Sequence, residues 1–235
     1  MVAACSGGSK MFYEPDKNDH GLKYNPFKSI VVPRPIGWIT TLDQAGNINL
    51  APYSQFNNIG YDPPYVMFSG GSDIRGHRRK DSVVNAIETG QFVCNMATYE
   101  LREEVNISSQ AVEPGIDEAA LAGLEMLPSR LVRPPRVARS PVHLECVFHQ
   151  CVVLPGNSPE NIMNVVIGRV VGVHIRDDVL TADGRIDVQK IRPLARLGYM
   201  DYTVIDTMFE MTQSGPHAER NMRGLVGQAR GKIGA

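Results

Sequence analysis

The sequence contains little cysteine: Cys5, Cys94, Cys146 and Cys151 are the four in 235 residues. Four cysteines in a chain of this length do not form a disulfide framework, and no CxxC pair is present. Thiols that stay reduced are typical of a reducing compartment. We therefore expect a cytoplasmic protein without disulfide bonds.

Long apolar runs and strong net charge are also absent. No apolar run reaches the roughly 18 residues that would suggest a membrane span. The first ten residues, MVAACSGGSK, lack the charged head and apolar stretch of a secretory signal, so we expect residues 1–10 to be a disordered leader. The net charge is -1, which gives no global field toward nucleic acid or an anionic membrane. The sequence therefore predicts neither a nucleic-acid partner nor a membrane.

Motifs for self-sufficient catalysis are missing. The chain has no GxSxG, HExxH or Walker loop, and no GxGxxG follows a predicted strand. On a strand, alternation would place His143, Glu145, His149 and Cys151 on one face, which suits zinc geometrically. The alternative is an ordinary sheet strand, which we favour because no second ligand pair occurs elsewhere. We therefore predict no metal site and no catalytic side chain.

Strand patterns outnumber helical ones. Residues 36–42 and 48–53 read as a hairpin around the turn at Gly46, and further strands are predicted at 65–69, 91–96, 142–154 and 163–175. Helices are predicted from a cap at Asp81 or Ser82 to Gly90, over 98–108 and over 116–124. This pattern favours an antiparallel barrel with a few covering helices. We expect one domain over residues 11–210 and a flexible tail over 211–235.

The stretch from Ser69 to Asn85 combines glycines, a basic cluster and a predicted helix start. Helix N-termini carry unpaired N–H groups and partial positive charge, so they hold phosphate well. Lys80 would neutralise such a phosphate, and Ser82 would donate a hydrogen bond to it. A solvated basic loop with a routine helix cap remains the alternative.

A second polar segment, Ser54-Gln55-Phe56-Asn57, follows the hairpin. Its amide, hydroxyl and aromatic groups suit the polar edge and the face of a flat heterocycle. Asparagine and serine that serve only turn hydrogen bonds are the simpler alternative for this segment taken alone.

These segments occur together with others in a recognisable order: PRPIGWITT at 33–41, NLAPYSQFN at 49–57, DPP at 62–64, KDS at 80–82 and GQFVCN at 90–95. The ordered set resembles the flavin reductase-like family. The most similar branch contains flavoredoxin and the reductase component of nitrilotriacetate monooxygenase. RLGYMDY at 196–202 also fits that branch, and the resemblance extends from about Met11 to about Phe209.

The resemblance implies a mainly β fold, the FMN-binding split β-barrel with Greek-key topology, paired into a homodimer with FMN at the dimer cleft. The segment from Trp38 to Thr41 would lie beside the flavin ring, Ser54 to Asn57 would bind ring and ribityl, and Lys80 and Ser82 would meet the phosphate. The cofactor-binding residues expected from it are Trp38, Ile39, Thr40, Thr41, Ser54, Gln55, Phe56, Asn57, Ser69, Lys80, Asp81 and Ser82.

The function implied is an NAD(P)H:flavin oxidoreductase, in which NADH or NADPH delivers hydride to FMN and reduced flavin supplies a partner monooxygenase. A flavoredoxin-like electron carrier without efficient NAD(P)H oxidation is the alternative, and a barrel used only for protein interaction is a third hypothesis. Arg75, Arg78 and Arg79 would contact the phosphates of the nicotinamide cofactor, or else form a solvent-facing charged loop.

Overall fold

The computed structural model describes residues 11–72, 79–211 and 214–215. The expected leader at 1–10 and most of the expected tail at 211–235 lie outside these residues. Strands dominate the described part: β1 (Arg34–Pro35), β2 (Gly37–Leu42), β3 (Ile48–Tyr53), β4 (Phe56–Tyr61), β5 (Pro64–Gly71), β6 (Gln91–Met96), β7 (Met126–Leu127), β8 (Arg136–Val137), β9 (Val142–Pro155), β10 (Ile162–Ile175), β11 (Ala195–Gly198) and β12 (Asp201–Thr203).

Within the described residues, four short α-helices accompany the strands: α1 (Asp81–Thr89), α2 (Arg102–Ile107), α3 (Glu118–Leu121) and α4 (Val188–Ile191). Three 3-10 turns lie at Pro26–Ser29, Tyr99–Leu101 and Asp177–Val179. None of the helices in the described residues is long and apolar enough to cross a bilayer.

One seven-stranded antiparallel sheet organises the fold, in the order β3-β2-β6-β9-β10-β5-β4. Although β3 and β5 are separated in that order, the rings of Tyr53 and Phe68 from these strands lie 5.0 Å apart. The sheet therefore curls until its two ends meet, as in a barrel. A smaller sheet, β1-β11-β12, and the pair β7-β8 lie beside it.

The apolar core has two parts. One is built on Phe68, Phe92 and Val166 inside the curled sheet, and the other on Trp38, Leu50 and Leu101. Helix α1 contributes Val83 and Ala86 to the first part, and these positions fall on one helix face because they are three residues apart. The sheet and α1 are thus fixed to each other by burial of a shared apolar surface.

The predicted elements are largely confirmed. The hairpin β2–β3 forms with Gly46 at a φ of 92°, and the strands predicted at 91–96, 142–154 and 163–175 appear as β6, β9 and β10. Gly90 ends α1 in the left-handed conformation, as a glycine C-cap does. The N-cap prediction was wrong by one residue, because Lys80 occupies that position without a capping side-chain bond. The helix predicted over 116–124 is also shorter, at Glu118–Leu121.

The four side chains considered for zinc do not share one face of β9. His149 has no partner in the register with β10, where Ile167 faces Gln150 and Gly168 faces Phe148. This bulge interrupts the alternation of the strand, so that His143 and Glu145 are buried while His149 is exposed. No cluster with metal-ligating composition occurs in the residues that the structure describes.

Glu145 has a structural role instead. Its side chain is fully buried, and its carboxylate accepts backbone N–H bonds from Arg130 at 2.8 Å and Leu131 at 2.6 Å. His174 Nε2 lies 2.5 Å from the same carboxylate. Burial alone would raise the pKa of Glu145, but the bonds from His174 and the loop amides outweigh burial and hold the pKa below its usual value. The carboxylate therefore anchors the loop at residues 130–131 to the barrel.

We predict that Glu145→Gln lowers the free energy of unfolding by about 2 kcal/mol. The charged carboxylate accepts hydrogen bonds through both oxygens, whereas glutamine has one oxygen and one NH₂ group, and the NH₂ group would face a backbone N–H donor. Equilibrium urea denaturation measures this. Glu125→Gln removes the same charge from an exposed side chain and is the matched control. Equal stability of the two variants would contradict an anchoring role.

Candidate functional site

A cleft lies where β3, the start of α1 and the loop after α2 meet. Its cavity volume is about 160 Å³, and the loop residues 108–112 form one wall. Polar and charged side chains dominate the remaining lining, notably Asn49, Tyr53, Arg79, Lys80, Ser82 and Glu118. A small cleft with convergent polar groups is suited to the polar end of a ligand.

The N-terminus of α1 faces this cleft. Lys80 is the N-cap, and its carbonyl accepts the N–H groups of Val83 at 2.9 Å and Val84 at 3.1 Å. The amides of the first turn have no acceptor within a helix, and they give its start a partial positive charge. Arg79 and Lys80 add two cationic side chains at the same place. These features together form an anion-binding arrangement.

Ser82 joins this helix start to β3. Its hydroxyl is 1% exposed and accepts a hydrogen bond of 3.0 Å from Asn49 Nδ2. The same hydroxyl lies next to the Tyr53 phenol and interacts with it. Burial raises the pKa of Tyr53, and the nearby Asp81 and Glu118 raise it further, so the phenol stays protonated. In this structure the Ser82 hydroxyl fixes the cleft wall, and its contact with a phosphate stays a prediction.

Glu118 places a buried carboxyl in the same cleft. The side chain is 5% exposed, and its Oε2 accepts the backbone N–H of Leu50 at 2.9 Å. Burial raises the pKa of Glu118, and Asp81 and Asp117 raise it further. The hydrogen bond from the Leu50 N–H lowers the pKa but does not outweigh burial. The helix that carries it, α3, begins at a regular cap in which the Asp117 carboxylate accepts the Ala120 N–H at 3.0 Å.

The segment Trp38-Ile39-Thr40-Thr41 lies in β2, between β3 and β6, with all four side chains fully buried. Trp38 Nε1 donates to Ser108 Oγ at 2.8 Å, which ties the strand to the loop wall of the cleft. Thr40 Oγ1 accepts from Asn95, and Thr41 Oγ1 accepts from Asn85. These side chains position neighbouring elements and are not part of the cleft lining. Contact between this segment and a flavin ring stays a prediction.

The segment Ser54-Gln55-Phe56-Asn57 continues from Tyr53 at the end of β3. Ser54 and Gln55 form the bend before β4, and the side chains of Gln55 and Asn57 are exposed. The backbone N–H of Ser69, in β5, donates a hydrogen bond to the Gln55 carbonyl at 2.8 Å. Phe56 instead packs against the core, with its ring directly over Gly37. A Cβ atom at Gly37 would come within 2.5 Å of this ring, so a larger residue would not fit there. The cleft lining includes Tyr53 but none of these four residues, and their contact with a ligand stays a prediction.

The structure therefore brings Lys80, Asp81 and Ser82 together in one cleft and adds residues that the sequence did not single out. Asn49 and Tyr53 lie within the quoted NLAPYSQFN segment, whose order could have drawn attention to them. Glu118 carries no local signal, because its helix is short and its partner Leu50 is distant in sequence. Arg79 borders the cleft, whereas Arg75 and Arg78 lie outside the described residues.

Comparison with known proteins shows which family the chain resembles and which fold it shares. The model of the flavin reductase like domain matches residues 29–201. An uncharacterised protein of Halalkalibacterium halodurans is 35% identical over 192 residues, which cover 82% of this chain and 91% of that protein.

Two solved structures extend the comparison. Nitrilotriacetate monooxygenase component B from Bacillus cereus is 27% identical, with a TM-score of 0.80 over 87% of this chain and all of that one. A Shewanella frigidimarina protein with a split barrel domain is 20% identical, with a TM-score of 0.73 over 87% of this chain and all of that one. The predicted split-barrel fold is thereby confirmed. The chain belongs to the flavin reductase-like family.

Proposed function

We propose that this protein is a cytoplasmic, FMN-binding flavin reductase that takes hydride from NADH or NADPH. The observation that carries the proposal is the cleft in which the N-terminus of α1, Lys80 and Arg79 converge. Helix amides and two cations match the charge and acceptor oxygens of a phosphate. Membership of the flavin reductase-like family supports flavin as the molecule that carries this phosphate.

The size of the cleft indicates how FMN would lie. At about 160 Å³ it is smaller than the roughly 300–1,000 Å³ of a complete small-molecule site. It therefore suits the phosphate and the adjoining ribityl, while the ring would extend outside the cleft, beyond Tyr53 and toward the segment that begins at Ser54. A ring in that position needs a further wall, and a second copy of the chain would supply it.

An exposed apolar row on β10 supports a homodimer. Val171, Val173 and Ile175 alternate along the strand, so they project from one face, and Val173 is 56% exposed. A contiguous row of this kind on a sheet face is typical of a protein interface. Because the chain resembles a family of homodimers, we assign a second copy as the molecule that covers the row.

The protein's own groups would bind and orient, and bound flavin would supply the redox chemistry by accepting hydride at its N5 atom. Lys80 and the first turn of α1 would neutralise the phosphate, and Ser82 would keep that turn against Asn49 and Tyr53. No strong protein base is required, because hydride transfer depends on alignment.

Similarity to component B of a monooxygenase supports a partner oxygenase that consumes the reduced flavin. We propose this role for the present chain over that of an electron carrier, because its identity to component B is 27% over nearly the whole chain. The anaerobic experiment below distinguishes the two functions.

Lys80→Met should weaken FMN binding by about tenfold to a hundredfold, the loss expected for one charge-assisted bond. Riboflavin lacks the phosphate, so its affinity should change little. Fluorescence titration with both flavins measures the two effects. Lys28→Met, an exposed position outside the cleft, is the control. Equal losses for FMN and riboflavin would place the phosphate elsewhere.

Anaerobic mixing of the FMN-loaded protein with NADH or NADPH should bleach the flavin band near 450 nm with catalytic turnover when free FMN is supplied. The nicotinamide that bleaches faster is the preferred substrate. A yellow protein that neither nicotinamide reduces would instead be an electron carrier, and a protein without flavin affinity would contradict the whole proposal.

Val173→Glu should shift the protein from dimer to monomer, because a charge in a closed apolar interface is costly to desolvate. Light scattering after size-exclusion chromatography measures the mass. Leu22→Glu places the same charge on an exposed side chain away from β10 and is the control. A parent protein that is monomeric at working concentration would exclude the proposed dimer.

A further inference from the structure

The anion-binding cleft contains a carboxyl group that would repel the proposed ligand. Glu118 lies in the lining with Lys80 and Arg79, and at 5% exposure it has little water to screen its charge. The Leu50 N–H fixes Oε2 in place, so the side chain cannot turn out to solvent without leaving that backbone donor buried and unpaired. The cleft therefore keeps the carboxyl beside the ligand.

The charges around Glu118 do not favour its anion. From α1 it faces Asp81, with Lys80 and Arg79 at the start of the same helix. From its own helix it faces Asp117, and from β3 it faces the protonated phenol of Tyr53. With both cleft carboxyls ionised, the cations Arg79 and Lys80 would be offset by Asp81 and Glu118. A net neutral cleft is a poor receptor for a phosphate dianion.

We propose that Glu118 enters the flavin complex as a neutral carboxylic acid, so that binding of the FMN phosphate takes up one proton from solvent. This inference rests on the proposed function and adds a proton-linked control of the same site. The balance is simple: the carboxylate accepts one proton, no other bond changes, and the new O–H can donate to a phosphate oxygen.

Linkage gives the direction of the effect. Burial already raises the pKa of Glu118 in the protein without ligand, and a bound dianion would raise that pKa again. At a pH between the pKa of Glu118 in the ligand-free protein and its pKa in the complex, the complex holds a proton that the ligand-free protein does not. Affinity for FMN therefore falls as pH rises through this range, by up to tenfold per pH unit for one linked proton.

Apart from the second carboxyl, Asp81, the other titratable groups of the described lining do not give the same signal. Lysine and arginine are already protonated near neutral pH, and Tyr53 stays protonated because burial raises its pKa. The second pKa of a phosphate monoester is about 6, and cations around it favour loss of a proton. Net uptake above about pH 7 therefore points to a carboxyl.

Isothermal titration of the full chain with FMN, in two buffers of different ionisation enthalpy, measures proton uptake from about pH 6 to 8. The expected result is uptake approaching one proton per FMN in the upper half of this range, with none for riboflavin. FMN binding without any uptake there would overturn the proposal in the unaltered protein, without need of a variant.

Glu118→Gln gives the second arm. Glutamine keeps an oxygen for the Leu50 N–H but carries no charge, so the variant should lose the uptake and bind FMN at least as tightly as the parent at about pH 8. Glu125→Gln, an exposed acid outside the cleft, should behave as the parent. Unchanged proton uptake in Glu118→Gln would assign the proton to another group. Absence of FMN binding at every pH would instead reject the proposed function.

Discussion

The contacts of Ser82 with Asn49 and Tyr53 are the constraint on which the site depends. They hold the first turn of α1 against β3, so the partial positive charge of the helix faces a fixed wall of the barrel. All three residues are buried, and losing one partner would leave the others unsatisfied in an apolar surrounding. The position of Lys80, at the N-cap, follows from this attachment.

The opposite wall depends on a second buried bond. Trp38 donates to Ser108, which ends α2, and the loop that lines the cleft begins there. Trp38 thus acts at a distance, because it fixes the start of the loop without reaching the cleft. The two buried bonds, one on each side, hold the two walls of the cleft in place.

The sequence predicted well where the signal was local. Gly46 and Gly90 mark conformations that favour glycine, and the alternation and β-branched content of β10 identify a strand. The sequence was less informative about contacts between residues that are far apart along the chain. A motif shows that Trp38 is special but not that its ring faces the core, and nothing local connects Glu118 with Lys80. These relations arise only when the sheet curls and places β3 beside α1 and α3.

Two buried glutamates show how the surroundings decide the state of one residue type. Glu145 has amide and imidazole donors that outweigh burial, so its pKa in the folded protein is lowered. Its stabilising effect is therefore fully present above the pKa of the unfolded state, and it is lost as the pH drops through the pKa of the folded state. Burial is the main cause that raises the pKa of Glu118, and two acidic neighbours raise it further against the lowering effect of the Leu50 N–H. Its stabilising contribution is therefore lost as pH increases. The first carboxyl is built to remain charged and anchor a loop. Burial shifts the second toward its protonated form, and it stands where a phosphate would favour that form further.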